Sequence, residues 1–120
     1  MEGQFGLSNK SLEIIYSILA SVEPLDEAII FGSRAKGSYK PGSDIDLALK
    51  GEKLSHDDLA NLYGKFDDSL LPYTFDLLIF NDKLDKEVRE HIIRVGKVFY
   101  QRPSKVMKDE KLVRPAHRLR

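Results

Sequence analysis

The 120-residue sequence has no cysteine, no long apolar run and no net charge. Without cysteine it forms neither disulfides nor thiolate zinc sites, so any chemistry must use oxygen and nitrogen groups. The longest apolar runs, 28–31 and 77–80, have four residues each, too few for a bilayer span or the core of a signal peptide. These absences favour a soluble protein without a membrane partner and, by default, a cytoplasmic location.

The zero net charge hides a division along the chain. Residues 1–101 hold 12 Lys and Arg against 17 Asp and Glu, whereas residues 102–120 hold 7 against 2. The length suits one domain, so we predict an acidic domain over 1–101 and a basic, flexible tail over 102–120. The tail has no aromatic side chain on which bases could stack, so its charge alone does not indicate a nucleic-acid partner. An acidic partner surface is the alternative for it.

The spacing of apolar residues alternates between helical and strand periods. It predicts three helices, near 9–21, 56–68 and 84–95, and four strands, at 28–31, 44–49, 73–80 and 97–101. Strands separated by helices indicate an α/β layer fold. The connection between the second and third strands is most simply a right-handed parallel crossover.

Three aspartates fall on two of the predicted strands. Asp44 and Asp46 share one face of the second strand, roughly 6–7 Å apart, and Asp76 lies in the middle of the third. On adjacent strands the three carboxylates would raise one another's pKa unless a cation neutralised them. Oxygen ligands alone select magnesium or manganese rather than zinc, and a pair of such ions can support phosphoryl transfer. Asp76 by itself could instead be a buried carboxylate satisfied by an arginine or a helix N-terminus.

A glycine and a serine follow the first predicted strand. Gly32 allows the backbone to approach a polyphosphate closely, and Ser33 with the following turn can offer hydroxyl and N–H donors. Arg34 is the best placed side chain to neutralise phosphate charge, although it could be an ordinary solvated residue. Ser43 could bond either the backbone or a phosphate. The pattern predicts a polyphosphate-binding turn beside the carboxylates.

The motif Gly32-Ser33-x10-Asp44-x-Asp46, with Asp76 in the segment YTFDLLIF, resembles the DNA polymerase beta-type nucleotidyltransferase superfamily. The short chain is most similar to the minimal nucleotidyltransferases encoded beside HEPN-domain proteins as toxin–antitoxin pairs. The resemblance covers about residues 10–101. It implies a nucleotidyltransferase fold, a small mixed sheet flanked by helices, which binds ATP with two Mg²⁺ ions, or Mn²⁺, and transfers the nucleoside monophosphate to a hydroxyl.

The resemblance also implies a role for each residue of the motif. Gly32 and Ser33 match the triphosphate-binding turn, Asp44 and Asp46 match the metal-binding pair, and Asp76 matches a third acidic residue that binds metal and helps to deprotonate the acceptor. Antitoxin members adenylylate a partner HEPN toxin, so we expect AMP transfer to a hydroxyl, a tyrosine, of such a partner. Two alternatives stay open: an antitoxin that acts by binding alone, and transfer to a small-molecule hydroxyl. The sequence is compatible with a homo- or hetero-oligomer.

Overall fold

The fold is a four-stranded sheet with a separate N-terminal hairpin, taken from a computed structural model that describes residues 2–103. The predicted basic tail lies outside the described residues from position 104 onward. No helix within 2–103 has the length and apolar character needed to cross a membrane. In chain order the elements are β1 Glu2–Gln4, β2 Leu7–Ser8, α1 Asn9–Ala20, β3 Glu27–Phe31, α2 Gly32–Lys36, β4 Ile45–Lys50, α3 His56–Asp68, β5 Phe75–Ile79, α4 Lys86–Val95 and β6 Lys97–Gln101.

The sheet is mixed, in the order β5-β4-β3-β6. Strand β3 pairs antiparallel with both β4 and β6, while β4 and β5 run parallel and are connected through α3. The predicted parallel connection is therefore confirmed. Among residues 2–103, strands β1 and β2 pair only with each other, as an antiparallel hairpin ahead of α1.

One face of the sheet forms the main core with α1 and α3. Alternate residues of β4 point into it, and Leu47 and Leu49 are fully buried. Phe66 of α3 stacks on Phe75 of β5, with ring centroids 3.8 Å apart and an interplanar angle of 9°. Each buried Leu or Phe side chain contributes about 1.5–3 kcal/mol through removal of apolar surface from water. This face stabilises the fold.

Both long helices begin at the residues that the sequence indicates. The Ser8 hydroxyl accepts a hydrogen bond from the Ser11 backbone N–H at 3.1 Å, which caps α1. Ser55 and Asp58 form a capping box at the start of α3, with the Asp58 carboxylate accepting from the Ser55 N–H at 2.9 Å. These caps fix where the chain leaves the preceding loops, and so how each helix lies on the sheet.

Two short elements were not predicted. The β1–β2 hairpin has strands of only three and two residues, too short to show a strand period. Helix α2 has five residues, GSRAK, with no repeating apolar position. It begins at Gly32 and ends before Gly37, the two having φ of +76° and +85°. Both elements lie next to residues of the predicted site.

Candidate active site

Strand register brings the predicted site residues together around the middle of the sheet. Asp46 lies on β4, opposite Phe31 of β3 and opposite Asp76 of β5. Because side chains alternate along a strand, Asp46 and Asp76 project from the face opposite the main core. Gly32 directly follows Phe31, so the predicted turn lies beside Asp46. Gly32, Asp46 and Asp76 therefore form one cluster, as the sequence predicts.

The electrostatics of the cluster centre on Asp46. Partial burial raises the pKa of this carboxyl above its ordinary value, and the nearby negative charges of Asp76 and then Asp44 raise that pKa further. A hydrogen bond between the Asp46 and Asp76 side chains acts in the same direction. Such a pair is stabilised either by a proton held between the carboxylates or by a cation.

Asp44 occupies a different position from its partner in the motif. It lies in the loop immediately before β4 and is exposed, whereas Asp46 is half-buried within the strand. Within 2–103, no three His, Asp or Glu side chains lie close enough together to be assigned as a metal centre. Asp46 and Asp76 are therefore neighbours on adjacent strands, whereas Asp44 lies outside the sheet, two residues before Asp46. The donors are all carboxylate oxygens, which fits a hard ion such as Mg²⁺.

Only glycine fits at position 32, because the Asp46 carboxylate lies directly against its backbone. Gly32 has φ of +76°, which disfavours any residue with a Cβ. A Cβ built at this position would also overlap Oδ2 of Asp46. The Ser33 carbonyl accepts N–H donors from Gly37 at 2.9 Å and Ser38 at 3.0 Å, which winds the following residues into α2. The backbone at Gly32 therefore passes directly against the Asp46 carboxylate.

The Arg34 side chain is buried against backbone carbonyls. It is 3% exposed, and its guanidinium donates to backbone carbonyls. Nε and Nη2 donate to the Ser43 carbonyl at 3.2 and 2.9 Å, and Nη1 donates to the Phe5 carbonyl at 2.9 Å. The alternative that Arg34 is an ordinary solvated residue is wrong, because the side chain is buried. The reason is packing, because the guanidinium carbon lies 5.5 Å from the ring centroid of Tyr39 and 5.3 Å from that of Tyr73.

Ser43 bonds the backbone, one of the two roles that the sequence allowed. Its hydroxyl accepts the Lys40 N–H at 2.8 Å, and its own N–H donates to the Lys40 carbonyl at 2.9 Å. These two bonds close the loop that precedes Asp44. Residues Phe5, Tyr39 and Tyr73 complete the support of this loop, and no motif in the sequence identified them.

A family model and one relative identify the chain's family. The model described as "Polymerase beta, Nucleotidyltransferase" matches residues 13–105, which include all seven predicted site residues. The chain belongs to this family. It is also similar to the probable protein adenylyltransferase MntA of Haemophilus influenzae, with 32% identity over 109 residues that cover 88% of this chain and 92% of that protein. The nucleotidyltransferase assignment made from the motif is therefore confirmed.

Solved structures share the fold. One chain of a crystal structure of a toxin–antitoxin with AMP-PNP has a TM-score of 0.62 at 19% identity, covering 88% of this chain and 93% of that one. A structure of the tri-AMPylated Shewanella oneidensis HEPN toxin in complex with MNT antitoxin has a chain with a TM-score of 0.56 at 19% identity, covering 84% and 75%. At such identities the likeness establishes the fold, and the predicted mixed sheet flanked by helices is confirmed.

Proposed function

We propose that this nucleotidyltransferase is a cytoplasmic antitoxin that transfers AMP from ATP to a hydroxyl, a tyrosine, of a partner HEPN-type toxin. The single observation that carries the proposal is the pairing of Asp46 with Asp76 beside the backbone of Gly32. The similarity to a protein adenylyltransferase, and to chains of toxin–antitoxin structures that contain AMP-PNP or an AMPylated toxin, supports the choice of donor and acceptor.

In the proposed reaction the acceptor oxygen attacks the α-phosphorus of ATP. The bond from that phosphorus to the oxygen bridging the α- and β-phosphates breaks, and pyrophosphate leaves with the bonding electrons. The hydroxyl proton passes to the carboxylate of Asp76, which acts as general base. Gly32 and Ser33 hold the triphosphate at the turn, next to Asp46. Arg34 donates to the Ser43 and Phe5 carbonyls, and its contact with a phosphate stays a prediction.

The carboxylates suit two Mg²⁺ ions, with Mn²⁺ as a substitute. Their donor atoms are all oxygen, and after burial the negative charges of Asp76 and Asp44 contribute to the raised pKa of Asp46. When bound, the ions would neutralise the carboxylates and the triphosphate and stabilise charge on the attacking and leaving oxygens. Asp44, Asp46 and Asp76 would hold them.

The location of Asp76 favours an acceptor carried by another macromolecule. Strand β5 is an edge strand of the sheet, and Asp76 is exposed on it. An exposed carboxylate at an edge allows a large molecule to present a hydroxyl from outside. A partner protein would then complete the acceptor site that this small domain does not enclose.

The test is transfer of the α-phosphate label of ATP to an HEPN-type toxin partner in the presence of Mg²⁺. We expect labelling of the partner and, by mass spectrometry, the added mass of an adenylyl group on a tyrosine. The variant carrying both Asp44→Asn and Asp46→Asn should bind the partner but leave it unlabelled. Equal labelling by wild type and this variant would contradict the catalytic assignment, and full neutralisation of the toxin by the variant would favour an antitoxin that acts by binding alone.

A further inference from the structure

We propose that Arg34 is a positioning residue, which holds the loop before β4 so that Asp44 stays beside Asp46. This proposal rests on the proposed function, because it assigns Asp44 a part in binding the nucleotide and its metal ions. Direct contact with a phosphate, the role predicted for Arg34 from the sequence, is the alternative that the experiment distinguishes. The Arg34 side chain donates two hydrogen bonds to the carbonyl of Ser43, the residue before Asp44.

Two of the three hydrogen bonds of Arg34 meet at one peptide group. Its Nε and Nη2 both donate to the Ser43 carbonyl, which belongs to the peptide bond whose nitrogen is that of Asp44. Fixing this carbonyl fixes the plane of the peptide, and so the direction in which the chain enters Asp44 and β4. The loop is already closed on itself by the Ser43 and Lys40 bonds, so Arg34 supplies its attachment to α2.

The remaining contacts of Arg34 hold the guanidinium in place. Nη1 donates to the Phe5 carbonyl in the turn of the N-terminal hairpin, 29 residues away in sequence. The rings of Tyr39 and Tyr73 lie 5.5 and 5.3 Å from the guanidinium carbon, close enough for cation–π attraction. A planar fork that bonds carbonyls in different directions between two rings requires arginine, because a lysine ammonium cannot present the same geometry.

The contacts also connect parts of the site that are remote in sequence. Arg34 lies two residues after Gly32, on the helix that the turn begins, and its bonded carbonyl lies one residue before Asp44. The triphosphate turn and the first aspartate of the motif are therefore held by one side chain. The N-terminal hairpin takes part through Phe5, which gives a role to a segment that the sequence motif does not include.

The test compares Arg34→Lys with a conservative core variant, Ile15→Val, whose side chain lies in the main core. In the ligand-free protein, amide hydrogen exchange of residues 38–44 should become faster in Arg34→Lys and stay unchanged in Ile15→Val. Exchange in β5 should be unaffected in both. This measurement needs neither nucleotide nor metal, so its outcome does not depend on whether the proposed reaction occurs.

Labelling of the partner provides the second measurement. Arg34→Lys should lower the rate by about 10- to 100-fold, as loss of a group that orients a metal-binding residue does, and should raise the Mg²⁺ concentration needed for half-maximal rate. Unchanged exchange in 38–44 together with a raised KM for ATP would overturn the proposal in favour of direct phosphate contact. A rate loss no larger than that of Ile15→Val would overturn it in favour of a purely structural role. Absence of labelling by wild type would count against the proposed function and leave the exchange result to decide the role of Arg34.

Discussion

Neighbouring residues of β4 lie on opposite faces of the sheet and have opposite effects on stability. Leu47 points into the main core and is fully buried, whereas Asp46, one residue earlier, points away from that core and lies beside another carboxylate. Burial of Leu47 stabilises the fold. Burial of Asp46 raises its pKa and so disfavours the charged form.

The core on one face of the sheet allows this small domain to carry, on the other face, a carboxylate whose burial lowers its stability. The core face gathers apolar residues from α1, α3 and all four strands of the sheet, so the fold does not depend on contacts made by Asp46. On the site face, Glu27 and Lys50 form an ion pair at 3.7 Å at one end of β3 and β4. Asp46 and Asp76 lie towards the other end. The separation predicts that stability and activity can be changed one at a time.

The largest expected effect on stability is at the core face. Leu47→Ala should lower the free energy of unfolding by about 2–5 kcal/mol, because it removes a fully buried side chain and leaves a cavity. Urea denaturation measures the loss. Below the melting temperature, the folded fraction should still label the partner; loss of labelling from a variant shown to be folded would mean that the two faces are coupled.

The next largest effect is expected at Gly32, whose backbone lies against the Asp46 carboxylate. Gly32→Ala and Gly37→Ala both place a Cβ at positive φ, at a cost of about 1–2 kcal/mol each in the free energy of unfolding. Only Gly32→Ala also displaces the Asp46 carboxylate, since a Cβ at Gly37 meets nothing within 4 Å. We expect labelling to fall about a hundredfold in Gly32→Ala alone. Equal losses in the two variants would argue against the close approach.

A smaller effect concerns the edge strand that carries Asp76. The Tyr63 hydroxyl accepts the Leu77 N–H at 2.8 Å and lies 3.4 Å from the Leu77 carbonyl, so it satisfies backbone groups next to Asp76. Tyr63→Phe should cost about 1 kcal/mol, seen as a lower melting temperature. Tyr100→Phe is the matched control, because the buried Tyr100 hydroxyl has no partner within 2–103 and its removal should not destabilise. If Tyr100→Phe lowers the melting temperature more than Tyr63→Phe does, the expectation is wrong.

The smallest effect is the pH dependence of the ligand-free site. A carboxyl whose pKa is raised on folding stabilises the folded state below the unfolded pKa, here 3.8, and this contribution is lost as pH rises through the folded pKa. With EDTA present, Asp46→Asn should therefore gain stability relative to wild type as pH rises from about 4 towards 7. Urea denaturation at several pH values measures the difference. A difference independent of pH would show that Asp46 is not perturbed.

The sequence predicted the elements that have a clear hydrophobic period. Helices α1 and α3 and strands β3 and β4 lie within a few residues of their predicted bounds, because each buries one face at a regular spacing. The pairing of Asp46 with Asp76 also follows from strand alternation if β4 and β5 are adjacent parallel strands, as they are. Local sequence patterns therefore predict the face on which a side chain lies when the strand that carries it has a regular hydrophobic period.

The sequence could not predict features that depend on contacts between distant segments. Arg34 follows the glycine–serine turn directly, so its charge suggested a phosphate contact, whereas its partners Phe5 and Ser43 lie 29 and 9 residues away. Helix α2 and the N-terminal hairpin are too short to carry a period. The position of Asp44 outside β4 depends on how the preceding loop is held, and alternation alone does not reveal it.

The most direct test measures activity and stability together in Asp46→Asn and Leu47→Ala. In metal-free buffer at pH 7, Asp46→Asn should melt no lower than wild type but, with Mg²⁺ and labelled ATP, transfer at least about a thousandfold less label to the partner. Leu47→Ala should melt lower and still transfer label when folded. If Asp46→Asn labels the partner as fast as wild type does, the assignment of nucleotidyl transfer to this face of the sheet is contradicted.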